Sequence, residues 1–555
     1  MQLPDLQQPQ QEQPTAVTRG RLRIIAGLAI VAVVVAAVIV FSPKKPGALP
    51  EAGRQGRVIT FTNETVANPE VIKRGEQLAR GVCATCHLFP EPHLLDRFTW
   101  AMEALPRMHL WLGFDPYPWE DEPGGKLVKE AKVLPEAPII GQEDYQAITT
   151  YYLATAPLQA WPQTNKPPIT VGLKHFQVVH PEYRYGKPMT TLVKIDSLEQ
   201  KLYISDSETK EFVRLNSAGK VEAKAPLESP AVHMVTGKDG FLLTLIGELY
   251  PSDDPKGKIL FLPRPKPGAT TGSVELLKEL PRPTSANFAD LNQDATLDLV
   301  VSCYGNLAGR FSWFEQKADR SIEEHVLLPR HGAVRAEVHD FNGDGRADIV
   351  VMMAQGREGL YLFENEGGGK FKERTLFEFH PAWGSSYFEL VDFNGDGAMD
   401  IVATNGDNGD LMLFPPCSKN YHGVRVYLND GKANFHAAYF YPMYGAYRAR
   451  ALDFDLDGDI DIAAIAFFPD YGGTFKECFA YLENKGNMQF AAFTFSESIS
   501  GRWMTFDAGD LDGDGDPDIA LGAFNRPFND LPGVLLEQWE KRGPSVLILK
   551  NTIRP

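Results

Sequence analysis

The chain has 555 residues, too many for a single hydrophobic core, so at least two domains are expected. Its composition, 43% apolar and 23% charged, is that of a soluble globular protein. With 55 Lys+Arg against 72 Asp+Glu, the net charge of −17 argues against nucleic acid as a partner and raises the question of whether the acids are gathered to hold cations.

Residues 1–23 include the polar, Gln/Pro-rich stretch Met1–Thr18 and read as a disordered cytoplasmic tail. Ile24 to Phe41 follow without a charge, and as a helix they reach about 27 Å, close to the hydrocarbon thickness of a bilayer. The stretch predicts a single transmembrane helix; a cleaved signal peptide is the competing reading. Residues 42–59 read as a linker.

Next comes Cys83-Ala-Thr-Cys86-His87, in a chain with only five cysteines. C-x-x-C-H is the attachment pattern of c-type haem: two thiols one turn apart meet the two vinyl groups, and the adjacent histidine faces the iron. A thioredoxin-like pair lacks its βαβ surroundings here. A zinc site lacks a second ligand pair, because the next cysteine is Cys303. Val71–Gly81 predicts a helix leading into the motif, and Gln142–Ala154 a second, with Tyr145, Ile148 and Tyr152 on one face. On these residues the segment 60–158 resembles a class I cytochrome c domain. That resemblance implies thioethers at Cys83 and Cys86, His87 as proximal ligand, and a methionine as distal ligand. Met108, after a proline turn, is the preferred candidate; Met102, His93 and His109 are the alternatives. It also implies that residues 45–555 lie outside the cytoplasm, with the chain held at the inner membrane and its bulk in the periplasm. In that oxidising space Cys417 and Cys478 are expected either to pair or to stay as buried thiols.

After a Pro-rich linker, 159–170, five stretches share the pattern D-x-[ND]-x-D-x-x-x-D-[IL], beginning at Asp290, Asp340, Asp392, Asp453 and Asp510. Successive starts are 50, 52, 61 and 57 residues apart, with short strand-like runs between. A period of that size built of strands predicts β-propeller blades. "TTLVKIDSLEQKLYISD" and "AVHMVTGKDGFLLTLIG" keep the rhythm without the acids, which makes seven blades over 171–555. The strand-like "GLKHFQVVHPEY" at 172–183 is expected to close the ring against "SVLILKNT" at 545–552, leaving no raw edge. Acids at positions 1, 3, 5 and 9 of a tight Gly-rich loop, with a carbonyl at 7, make a hard-oxygen cage suited to Ca²⁺. This part resembles the FG-GAP/VCBS repeats of the integrin α-subunit propeller. The resemblance implies four to five calcium ions, held by Asp290, Asn292, Asp294, Asp298; Asp340, Asn342, Asp344, Asp348; Asp392, Asn394, Asp396, Asp400; Asp453, Asp455, Asp457, Asp461; and Asp510, Asp512, Asp514, Asp518. Ala295 replaces glycine after position 5 of the first loop, the one departure.

Counting back from each loop, position −3 holds Asn287, Glu337, Glu389, Arg450 and Asp507, and position −5 holds Ser285, Arg335, Tyr387, Arg448 and Thr505. Strand alternation puts both sets on one face, expected to line the central channel. There they form either a polar ligand site, with Glu337, Glu389, Arg450 and Asp507 as its candidates, or a set of mutually satisfied ion pairs. The predicted architecture is therefore multi-domain: an N-terminal transmembrane helix, a small all-α cytochrome c domain, and an all-β seven-bladed propeller with calcium loops. The whole resembles bacterial proteins that join a CxxCH domain to such repeats. That implies one-electron transfer through one haem c, with a redox partner or membrane complex docked on the propeller; a haem-coupled dehydrogenase with a site at the channel, or an adhesion module, are the alternatives.

Overall fold

Apolar alternation broken by Gly- and Asp-rich turns gives seven sheets arranged as a propeller, each built on a four-stranded antiparallel meander. The computed structural model describes residues 68–554, apart from 120, 265–271, 410–417, 472–476 and 527–532. The innermost strands of blades 1 to 7 are Thr190–Asp196, Ala231–Thr236, Pro283–Ala289, Ala333–His339, Ser385–Val391, Ala446–Leu452 and Trp503–Gly509. The second strands of all but blade 1, beginning at Gly240, Asp298, Asp348, Asp400, Asp461 and Asp518, are buried along their whole length, because neighbouring blades cover both their faces. "TTLVKID" and "GFLLTL" belong to blades 1 and 2, and Lys370–Glu378 is the outer strand of blade 4.

The ring closes as the sequence predicts. Phe176–Val179 pairs antiparallel with Val546–Asn551 in the register Phe176↔Asn551 to Val179↔Ile548, completing blade 7. Ile169–Val171 adds a fifth, parallel strand to blade 6 against Phe490–Thr494. The Pro-rich segment before it is docked too: Gln163 donates from Nε2 to the His422 carbonyl at 2.8 Å, and Lys166 pairs with the buried Glu477.

The predicted three-part architecture is overturned in its N-terminal parts. Residues Thr60–Pro555 form one compact unit, so the helical segment is not a separate cytochrome domain. It is a cap of short helices built onto the propeller, and the reason is its contacts. Tyr421 donates its hydroxyl to the Leu94 carbonyl at 2.8 Å. Ala382 packs into the core that holds Trp100, Tyr151 and Tyr152. Leu307 shares a cluster with Val128 and Leu134. Gly124, at φ +79, lets the cap touch blade 2: a Cβ there would sit 2.1 Å from the Asp253 backbone. Among the described residues no helix is long and apolar enough to cross a membrane, and the stretch 24–41 lies outside them.

Within the cap, Pro69–Val82 and Gln142–Thr155 are the two predicted helices, each a little longer than expected. They cross closely at Gly75, where a Cβ would stand 2.0 Å from the Ala147 carbonyl oxygen. Between them, Arg97–Thr99, a π turn at Trp100–Ala104 and Leu105–Trp111 run on as one bent helix, and Gly125–Ala131 is a short one.

Candidate functional site

In a four-stranded meander the turns after strands 1 and 3 leave one face of the wheel, and those after strands 2 and 4 leave the other. The acidic loops are all turns after strand 1. The cap touches Asp253 and Leu307 (turns after strand 2), and Ala382 (after strand 4). Acidic loops and cap therefore occupy opposite faces.

On the cap face, the helix Pro69–Val82 runs into a single turn at Cys83–Thr85. Both Cys83 and Cys86 are free thiols; burial pushes Cys83 up to about 11. His87 is half-buried, burial holds its pKa low, and its Nδ1 meets the Leu88 carbonyl at 2.8 Å. A neutral ring anchored through Nδ1 keeps Nε2 free to bind a metal. The stretch 88–95 that follows is fixed by Tyr152 donating to the Pro90 carbonyl (2.9 Å) and Trp100 Nε1 to that of Pro92 (2.8 Å). Phe89, Trp100 and Tyr152 stack beside the motif. Two thiols on one turn, an adjacent imidazole with a free nitrogen and an aromatic wall fit the chemistry of covalent haem. Met108 sits within the helix Leu105–Trp111, not on a turn, and Met102 is 55% exposed. His93 stacks on Trp161 at 4.8 Å, and His109 lies between Tyr145 and Phe114.

On the opposite face, the first Asp of each loop accepts from the amides that follow it. Asp340, for instance, takes Gly343 (2.8 Å), Asp344 (3.1 Å) and Gly345 (2.8 Å). Asp453, Asp455 and Asp461 bring carboxylate oxygens within 4.8 Å of one another, as do Asp510, Asp512 and Asp514. Burial, then Asp457, lifts Asp455 to about 6; burial lifts Asp461 and Asp518 to about 7. Crowded, desolvated carboxylates are what a bound cation relieves, so the residues fit Ca²⁺. Two loops are met by a cationic side chain: Arg346, within its loop, pairs with Asp344 at 2.5 Å, and Lys550, on the strand Val546–Asn551, pairs with Asp512. Ala295 adopts φ +65, the left-handed geometry that glycine takes in the other loops.

The last Asp of each loop does a further job that spacing alone does not reveal. Each is fully buried and spans two backbone amides, one in its own loop and one at the end of the third strand. Asp298 accepts from Leu291 (3.1 Å) and Gln316 (3.0 Å). Asp348 accepts from Phe341 (3.1 Å) and Asn365 (2.7 Å), and Asp400 from Phe393 (2.9 Å) and Asn429 (2.7 Å). Asp461 accepts from Phe454 (3.2 Å) and Asn484 (2.7 Å), and Asp518 from Leu511 (3.0 Å) and Asn551 (2.8 Å). The partner asparagines return a bond, as Asn484 Nδ2 does to the Ile460 carbonyl at 3.0 Å. Their signal in the sequence is the recurring strand end "FEN", "YLN", "LEN" and "LKN".

At the hub the structure brings the inner-strand charges together and pairs them. Arg450 meets Glu389 at 2.7 Å and Asp507 at 3.7 Å, Lys194 meets Asp507 at 2.9 Å, and Arg335 pairs with Glu337. The Arg335 and Arg448 guanidinium groups lie over the Tyr387 ring, each at 4.7 Å. Burial opposes the charge on Asp507, but Lys194 and Arg450 outweigh it and hold its carboxyl down at about 2. Lys194 and the buried His233 were not among the counted positions, because blades 1 and 2 lack the loop from which the count runs. Cys478 is a buried thiol pushed up to about 12 by burial, and Cys417 lies outside the described residues.

Residues 302–403, from blade 3 to blade 5, match the FG-GAP-like repeat family. A search of curated proteins finds no match. Among solved structures, the chain is similar to BBS1N in its complex with ARL6DN, at 11% identity and a TM-score of 0.41, over 69% of this chain and 98% of that one. It is similar to the N-terminal domain of Nup159, at 10% identity and a TM-score of 0.38, over 70% and 99%. It is also similar to a luciferin-regenerating enzyme, at 10% identity and a TM-score of 0.32, over 68% and 95%. At these scores the likenesses carry no functional argument. The chain is thus a seven-bladed β-propeller bearing a helical cap, and the stretch 302–403 within it matches the FG-GAP-like repeat.

Proposed function

We propose that this protein is an extracytoplasmic one-electron carrier, in which haem c is bonded through Cys83 and Cys86 on the cap and the propeller presents it to a protein partner. The observation that carries this reading is the C-x-x-C-H turn itself: two free thiols and an imidazole whose Nδ1 is anchored on the Leu88 carbonyl, set against an aromatic wall. Bound there, the haem supplies single-electron exchange. Cys83 and Cys86 would carry its thioethers, His87 would offer Nε2 to the iron, and Phe89, Trp100 and Tyr152 would line the site with apolar surface. Attachment of haem c takes place outside the cytoplasm, and the charge-free stretch 24–41 supports export to the periplasmic side. The acidic loops on the other face are read as structural Ca²⁺ sites that stiffen the wheel. A substrate-oxidising centre at the channel has less support, because its carboxylates are already matched by Lys194, Arg335 and Arg450.

The test is production in a host that matures cytochromes. The purified chain should be red, gain one porphyrin in mass, and lose it when Cys83 and Cys86 are both replaced by Ala. A colourless wild-type chain of unmodified mass rejects the reading. Recovery of the reduced haem spectrum on adding a sugar or alcohol to the protein alone would move the assignment to a dehydrogenase.

A further inference from the structure

Each side chain that the sequence offers as sixth haem ligand is poorly placed. Met102 is 55% exposed, His93 is stacked on Trp161, and His109 is held by Phe114, Tyr145 and, at 3.6 Å, Asp115. Met108 is part of a regular helix and, among the described residues, joins none of the hydrophobic clusters, including the one in which Cys83 packs.

The propeller supplies a fifth side chain. His380 follows the outer strand of blade 4, within electrostatic reach of both His87 and His93, and Glu378 on that strand reaches His87 in the same way. Its Nδ1 is buried, with no hydrogen-bond partner among the described residues. The turn that carries it is fixed on both sides. Phe379 donates its amide to the Glu358 carbonyl at 2.8 Å, and Trp383 to that of His380 at 2.9 Å. Lys419 Nζ donates to the Ala382 carbonyl at 2.8 Å. Ala382 enters the same cluster as Cys83, so this turn is joined to the haem-attachment turn through one core. A half-buried imidazole whose Nδ1 is buried and unused, on a turn joined to the C-x-x-C-H motif through one core, has the chemistry of an axial ligand.

We infer that His380 ligates the haem iron on the face opposite His87, so that the prosthetic group is clamped between cap and wheel; this rests on the haem reading above. The pair of imidazoles gives a lower reduction potential than a His/Met pair.

The experiment uses the full chain matured with haem. Wild type is expected to be low-spin and six-coordinate, without the long-wavelength band of a methionine–iron bond. His380→Ala is expected to become high-spin and five-coordinate, and added imidazole to restore the low-spin spectrum, while Met108→Leu changes nothing. A low-spin His380→Ala, or a Met108→Leu that loses its sixth ligand, overturns the inference. Should His380→Ala fail to accumulate, His380→Met is read instead: it should gain the methionine–iron band and a raised potential, and an unchanged spectrum and potential count against His380. A wild-type chain without covalent porphyrin overturns the haem reading itself; a porphyrin-bearing chain indifferent to His380 overturns only this ligand.

Discussion

The two faces of the wheel are built in opposite ways. The loop face is largely local and periodic: each acidic turn folds its first Asp onto its own amides and is tied to its own blade through its last Asp. The cap face is assembled from afar, by contacts such as Tyr421 to Leu94 and Lys166 to Glu477 that join segments hundreds of residues apart. Stability on the first face is thus concentrated in repeated carboxylates. On the second it is spread over apolar packing and a few hydrogen bonds from unremarkable residues.

Removing metal is the harshest way to break this comparison. A site filled at about a hundred times its Kd contributes about 2.7 kcal/mol, so emptying two should lower Tm by roughly 5 °C in calorimetry with EDTA. The haem spectrum should stay in place until unfolding. An unchanged Tm would mean that the loops hold no structural cation. Asp461→Ala comes next. It strands the Phe454 and Asn484 amides and the Tyr481 hydroxyl, which donates to Asp461 at 2.7 Å, and should cost about 3–5 kcal/mol in urea unfolding. The loss should persist in EDTA, because the stapling needs no ion; a variant equal to wild type in EDTA would reduce Asp461 to a metal ligand.

The hub offers a pH test that neither face affects. Asp507 titrates at about 2 when folded, against about 3.9 in an unfolded chain. A depressed carboxylate stabilises above its unfolded pKa, and that stability is lost as pH falls through the folded one. Asp507 should therefore contribute about 2–3 kcal/mol near neutrality, fading between about pH 4 and pH 2. Asp507→Asn should flatten that limb of the stability profile, and an unaltered limb would assign it to other groups. The smallest effect is a gain: Ala295→Gly relieves the left-handed geometry at φ +65 and should stabilise by about 1 kcal/mol. A loss on this substitution would show that Ala295 is not strained.

The loop face was legible because periodicity exposes it. Five copies of one acidic pattern located blades 3 to 7, the strand rhythm supplied blades 1 and 2, and the closing strand at Phe176–Val179 followed from the need to seal the ring. What escaped is non-periodic or long-range. The double role of Asp461 and its counterparts depends on amides at the end of another strand. Lys194 completes the hub from a blade without the counting mark. The cap was mistaken for an independent domain because nothing local in Leu94, Val128 or Ala382 announces a partner across the chain.

The seam in blade 7 orders the protein's own making. Val546–Asn551 is the partner that Phe176–Val179 waits for, so six blades and most of a seventh must be synthesised before the wheel can lock. The C-x-x-C-H turn is translated long before that point. Such high contact order predicts slow final closure and an interval in which blade edges are exposed. On the proposed haem reading, Cys83 and Cys86 would still be open to attachment during that interval, and the wheel would close around a finished cofactor.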